Sequence, residues 1–136
     1  MRLSLAGLLA VFFIITAVPG GVFAGEGKQN HHCPNPEQLG PIKSDDEVRN
    51  HLDEVAASLP GYGEEMKDWE VKRSQPLLGT GIYYKMGERV CGEKVAMGSW
   101  FVELYFPKLA PSESASHLRL FIAKNKKNDW FWWYRY

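Results

Sequence analysis

Residues 44–61 read SDDEVRNHLDEVAASLPG, residues 100–106 read WFVELYF, and the change of hydrophobic period between the two stretches decides the fold. In the first, Ser44 and Glu47 stand at capping-box spacing, so that the Ser44 hydroxyl and the Glu47 carboxylate each satisfy the other's free backbone N–H. Val48, Leu52, Val55, Ala56 and Leu59 follow at three- and four-residue intervals, which puts one apolar stripe on a helix. Asp45 and Asp46 favour the positive end of its dipole, and Pro60-Gly61 stops it. In the second stretch Trp100, Val102, Leu104 and Phe106 alternate with Phe101, Glu103 and Tyr105, the period of a strand.

Working outward toward the C-terminus, Leu118, Leu120 and Ile122 alternate with His117, Arg119 and Phe121, and a last strand runs from Trp130 to Tyr136 beyond the polar turn Lys124 to Asp129. Between helix and first clear strand, Trp69 to Ser74 and Ile82 to Met86 read as two strands paired around Pro76 to Gly81. The expected fold is α+β, one α-helix packed on a four- to five-stranded antiparallel sheet, occupying residues 44–136. Trp130, Trp132 and Trp133, with Phe131 and Tyr134 between and after them, put aromatics on both faces of the last strand. Either that strand is core, or those tryptophans form a platform for a sugar, a proline-rich peptide or a partner protein. A terminal strand of an outer-membrane barrel also alternates aromatics, but the helix and the short chain oppose that reading.

Toward the N-terminus, residues 25–43 are rich in Gly, Pro, Asn and His and poor in apolar side chains, an extended arm rather than a packed element. Before it, Arg2, the apolar run Leu3 to Val18 and the small residue Ala24 read as a signal peptide over residues 1–24, cleaved to leave Gly25. A retained anchor is the rival, but the run falls short of the ~20 residues a membrane helix needs. The expected location is secreted or periplasmic, with no stable membrane anchor after cleavage. In that compartment Cys33 and Cys91, the chain's two cysteines, are expected to form a disulfide. A zinc site using His31 and His32 with them is the alternative, at a spacing that matches no standard pattern.

Composition narrows the function further. The chain has 16 basic and 16 acidic side chains, which gives no electrostatic reason to expect nucleic acid or an anionic membrane as partner. His51 lies on the polar side of the helix and His117 starts a strand, neither with a nucleophile in a recognisable motif. Gly79-Thr80-Gly81 is too short for a phosphate loop. Glu64-Glu65 and Lys124, Lys126 and Lys127 read as solvated turns. No catalytic residue, cofactor or metal is expected, and the chain is read as a non-enzyme.

The order of a helix, an alternating strand and then Gln75-Pro76-Leu77-Leu78-Gly79 running into Tyr83-Tyr84-Lys85 resembles the cystatins, inhibitors of papain-like cysteine proteases, and their stefin branch most of all. Gln75 and Gly79 match the family's Q-x-V-x-G hairpin, with Leu77 in place of its valine. The resemblance implies a cystatin-like fold and a wedge that fills the protease cleft without any catalytic group. The protease-binding residues it implies are Gln75, Pro76, Leu77, Leu78 and Gly79 in the first loop, Leu109 and Pro111 in a second loop spanning residues 107–112, and Gly40 as the glycine of the N-terminal segment, for which Gly25 or Gly27 could serve instead. The implied partner is a papain-like cysteine protease. A non-inhibitory extracytoplasmic binding module using the aromatic sheet face at Trp130, Trp132 and Trp133 is the alternative function.

Overall fold

A computed structural model describes residues 32–109 and 116–136, so the signal peptide, the arm before His32 and Pro111 lie outside the described residues. The helix begins as its cap demands. Ser44 is extended, its Oγ accepts the Glu47 N–H at 3.2 Å, and α1 runs Asp45–Ala57. The return half of the box is displaced by one residue, because Glu47 Oε2 accepts the Lys43 N–H at 2.7 Å instead of that of Ser44. Val48, Leu52, Val55, Ala56 and Leu59 are buried, as the stripe predicts.

The sheet is antiparallel and has five strands: β1 Leu39–Gly40, β2 Glu70–Pro76, β3 Trp100–Tyr105, β4 His117–Asn125 and β5 Trp130–Arg135. β2, β3, β4 and β5 are neighbours in that order. The short β1 pairs with the end of β4, Gly40 opposite Lys124, on the edge away from β5, since Lys124 also pairs with Trp130.

One expected strand is absent. Residues 82–86 open α2, Ile82–Cys91, which is followed by α3, Glu93–Met97. Tyr84, Lys85 and Met86 alternate over too few residues to distinguish the two periods, whereas the residues that α2 turns inward, Tyr83, Tyr84, Met86, Gly87, Val90 and Cys91, recur at helical intervals. Gly81 and Gly92, at φ 64° and 90°, allow the chain to enter and leave this helix by conformations that a side chain disfavours. β2 consequently pairs with β3, and the expected hairpin around residues 76–81 is a strand-to-helix turn.

The extra helices change the layering from one helix on a sheet to helices on both faces. α1 packs with Trp100, Val102, Leu104, Leu120, Ile122 and Trp130. α2 and α3 cover the opposite face through Leu77, Val95, Ala96, Phe101, Phe121, Ala123 and Trp133. This accounts for aromatics at both parities of β5, because each face meets a helix. A bulge adds Trp133 opposite the Phe121–Ile122 step, so Trp133 and Tyr134 both turn toward α2. Trp133 Nε1 donates to Ser99 Oγ at 2.9 Å and Ser99 Oγ donates to the Val95 carbonyl at 2.6 Å, which locks α3 to the sheet.

The missing strand also reverses one end of the molecule. Had residues 82–86 been a strand of the meander, the loop over 107–112 would share an end with residues 76–81. Instead Pro76, Trp100 and Ile122 align at one end of the sheet, and Glu70, Tyr105 and His117 at the other. The chain leaves β3 at that second end. Among the described residues, no helix is long and apolar enough to cross a membrane.

Candidate functional site

The residues singled out in the sequence divide between the two ends. Gln75 lies in β2 opposite Phe101, and Pro76 ends the strand opposite Trp100. Leu77 is fully buried, its N–H bonded to the Ser99 carbonyl at 3.0 Å, so it belongs to the core under α2. Leu78 is 52% exposed, and Gly79 turns the chain at φ 101°. Thr80 holds this turn by donating from both its N–H, at 3.1 Å, and its hydroxyl, at 2.6 Å, to the Leu77 carbonyl.

Gly40 comes to the same end, but as a buried strand residue. A Cβ there would stand 2.8 Å from the Asn125 carbonyl oxygen, so close pairing of β1 with β4 accounts for the glycine. The following Pro41 and Ile42 line a shallow groove of about 290 Å³ with Pro76, Met97 and Trp100. Leu109 lies at the opposite end, half-buried against the α1 side of the core, next to Lys108, which pairs with Asp68. The structure therefore brings Gly40 and Gln75 to Gly79 together and leaves Leu109 apart from them; Pro111 is outside the described residues.

Two large apolar residues at the first end were not singled out from the sequence: Ile82, 70% exposed at the start of α2, and Met97, 54% exposed at the end of α3. Ile82 is exposed because its segment is a helix where a strand is expected, and Met97 lies in residues 87–99, for which the sequence predicts no element. With Leu78 they form an apolar rim around the turn. Exposed apolar groups gathered at one place mark interaction surfaces more often than scattered ones do.

The tryptophans of β5 sort differently. Trp130 and Trp133 are buried in opposite cores, and Trp130 also stacks on His51 at 4.8 Å, so that histidine is a packing residue rather than plain surface. Trp132 is half-buried and reaches a second groove, of about 410 Å³, shared with Phe131 and Asn125 and closed by residues 32–39 of the arm. The arm is pinned on both sides of this groove. The His32 N–H donates to the Trp133 carbonyl at 3.0 Å, and Leu39 pairs with Asn125. Between them Asn35 Oδ1 caps a short 3-10 helix, Pro36–Gln38, by accepting the Glu37 N–H.

Cys33 and Cys91 form a disulfide, which clasps the arm to the end of α2. Their sulfurs are thus unavailable as thiolates, which removes the zinc alternative, and no group of three or more potential metal ligands occurs among the described residues.

A row of charged side chains lies on the α2 side of the sheet beyond the helix. Arg73, Glu103 and Arg119 stand side by side on β2, β3 and β4. Arg119 Nε lies 2.7 Å from Glu103 Oε2, while Arg73 stacks over Phe101 and Arg119 over Tyr83 and Tyr136. These cations are committed to a carboxylate and to ring faces. Lys124, expected in a solvated turn, is a buried β4 residue whose ammonium pairs with Glu47. That bond, with the Lys43 N–H, holds the Glu47 carboxyl below its ordinary pKa.

No family model, curated protein or solved structure matches this chain.

Proposed function

We propose that this chain is an exported, non-catalytic binding protein that docks a partner protein through the end of the sheet carrying Leu78, Ile82 and Met97. The observation that carries the reading is the exposure of these three large apolar side chains, each more than half open to water, beside the groove between Pro41, Pro76 and Trp100. The disulfide supports export, because such bonds persist in oxidising compartments.

A papain-like cysteine protease is the partner class that the Gln75–Gly79 resemblance suggests. In its favour, Gly40 and Gln75 to Gly79 share this end. The hairpin wedge itself has no counterpart, since α2 follows the turn and Leu109 lies at the far end. Titrating papain with the protein from Gly25 onward tests the partner. Inhibition at micromolar concentration that disappears in Leu78→Asp/Ile82→Asp supports a protease cleft as the occupant. No inhibition by a protein whose circular dichroism shows it folded removes the protease.

The rim is tested separately by a hydrophobic dye whose fluorescence reports exposed apolar surface. Dye binding to the native protein should fall in the same double variant, and equal dye binding by both proteins would remove the rim as a docking surface.

A further inference from the structure

The groove beneath the arm joins aromatic residues to uncharged polar ones. Nearly a quarter of the chain is charged, yet among the described residues the lining of this open groove contains no Lys, Arg, Asp or Glu. It is lined by Trp132 and Phe131 of β5, whose side chains belong to opposite faces of the sheet, and by His32, Asn35 and Gln38 of the arm. Asn35 spends its oxygen on the 3-10 helix, leaving its amide NH₂ as a donor, and the Gln38 side chain has no hydrogen-bond partner among the described residues. The described lining sets an aromatic residue beside several neutral donors and acceptors, with no charged side chain among the described residues.

A groove beside an edge strand would ordinarily suit an extended peptide that adds to the sheet. Here the arm itself interrupts the edge. The Trp133 carbonyl already accepts the His32 N–H, and the Cys33–Cys91 bond fixes that contact one residue further on. A compact ligand fits the remaining space, whose volume lies within the ~300–1,000 Å³ of small-molecule sites.

We infer that this groove binds a neutral sugar unit of a glycan, its apolar ring face against Trp132 and its hydroxyl or acetamido groups on Gln38, Asn35 and His32. A pyranose combines a C–H face with hydroxyls that both donate and accept, which matches an aromatic ring beside uncharged amides. The site is separate from the apolar rim, so it stands or falls independently of the partner-protein reading.

The test is NMR titration of the disulfide-bonded protein with tri-N-acetylchitotriose, cellotriose and maltotriose, following the Trp132 indole N–H, with a hexaproline peptide as the competing probe. At least one sugar should shift that resonance saturably at millimolar concentration. Trp132→Ala and Gln38→Ala should each weaken binding, the former about tenfold, while Leu78→Asp should leave it unchanged. If Trp132→Ala does not fold, Gln38→Ala, altered at an exposed side chain, decides the matter, and unchanged affinity there overturns the inference. It is equally overturned if none of the sugars shifts Trp132, or if only hexaproline does.

Discussion

Glu47 binds two partners at once: one carboxylate oxygen accepts the Lys43 N–H ahead of the helix, and the other takes the ammonium of Lys124 from β4. The Lys124 bond, then the Lys43 N–H, place its pKa below the ordinary 4.5. A carboxyl whose pKa is lowered by folding contributes stability above its unfolded value, and that contribution is lost as pH falls through the folded one. Glu47→Gln should therefore lower stability at pH 7 by about 1.5–3 kcal/mol, the range for hydrogen bonds to charged groups. The difference from the parent protein should shrink once the pH drops below 4.5, as urea melts at a series of pH values would measure. Gly87 offers a second test at this scale. Alanine improves helix propensity by about 1 kcal/mol, but a Cβ at Gly87 would lie 2.9 Å from Leu77 Cδ2 and 3.3 Å from Trp133 Cη2, inside a filled core. Overpacking of this kind costs about 1–3 kcal/mol, so Gly87→Ala should destabilise on balance, read as a lower urea midpoint with an unchanged slope.

At the scale of elements, legibility in the sequence followed the length of the pattern. Val48 to Leu59 repeats over three turns, and Trp100 to Phe106 alternates over seven residues, so α1 and β3 fell where the period puts them. α2 did not, because Tyr84-Lys85-Met86 satisfies both periods and the decisive residue, Gly87, is buried for lack of a side chain rather than for possessing an apolar one. Gly79 and Gly81 do adopt the positive φ angles that a hairpin over residues 76–81 would use, but such angles serve a strand-to-helix turn equally well. The apolar rim is not legible in the sequence for the same reason, since Ile82 becomes exposed only once its segment is a helix. The helix makes a prediction that a strand would not. Glu88 stands four residues from Tyr84, about 6 Å along a helix but about 13 Å along a strand. Burial first, then Glu88 and Glu93, raise the Tyr84 phenol above its ordinary value of 10.0. Glu88→Gln should bring that pKa part of the way down, as ring-resonance NMR from neutral to alkaline pH would show, and an unchanged titration would count against the α2 geometry.

For the molecule as a whole, the consequence of exchanging one strand for two helices is a sheet covered on both faces, which leaves its ends and its β2 and β5 edges open. The apolar rim occupies one end, and the arm has been drawn across the β5 edge. The Cys33–Cys91 disulfide joins these features, since it fixes the arm to the last turn of the helix that begins at Ile82. It closes a sequence separation of 58 residues that contains α1, β2 and most of α2. In the chain-entropy account such a loop contributes about 4 kcal/mol by restricting the unfolded chain. Cys33→Ser/Cys91→Ser should accordingly lose about that much in urea unfolding, while the core, whose two halves are complete without the bond, keeps its circular dichroism. The loss of order should be local: the His32 amide, bonded only to the Trp133 carbonyl, should exchange with solvent much faster, while amides of β3 and β4 should remain the slowest to exchange in the protein. Protection of His32 that survives the double substitution would mean that the β5 contact holds the arm without the clasp.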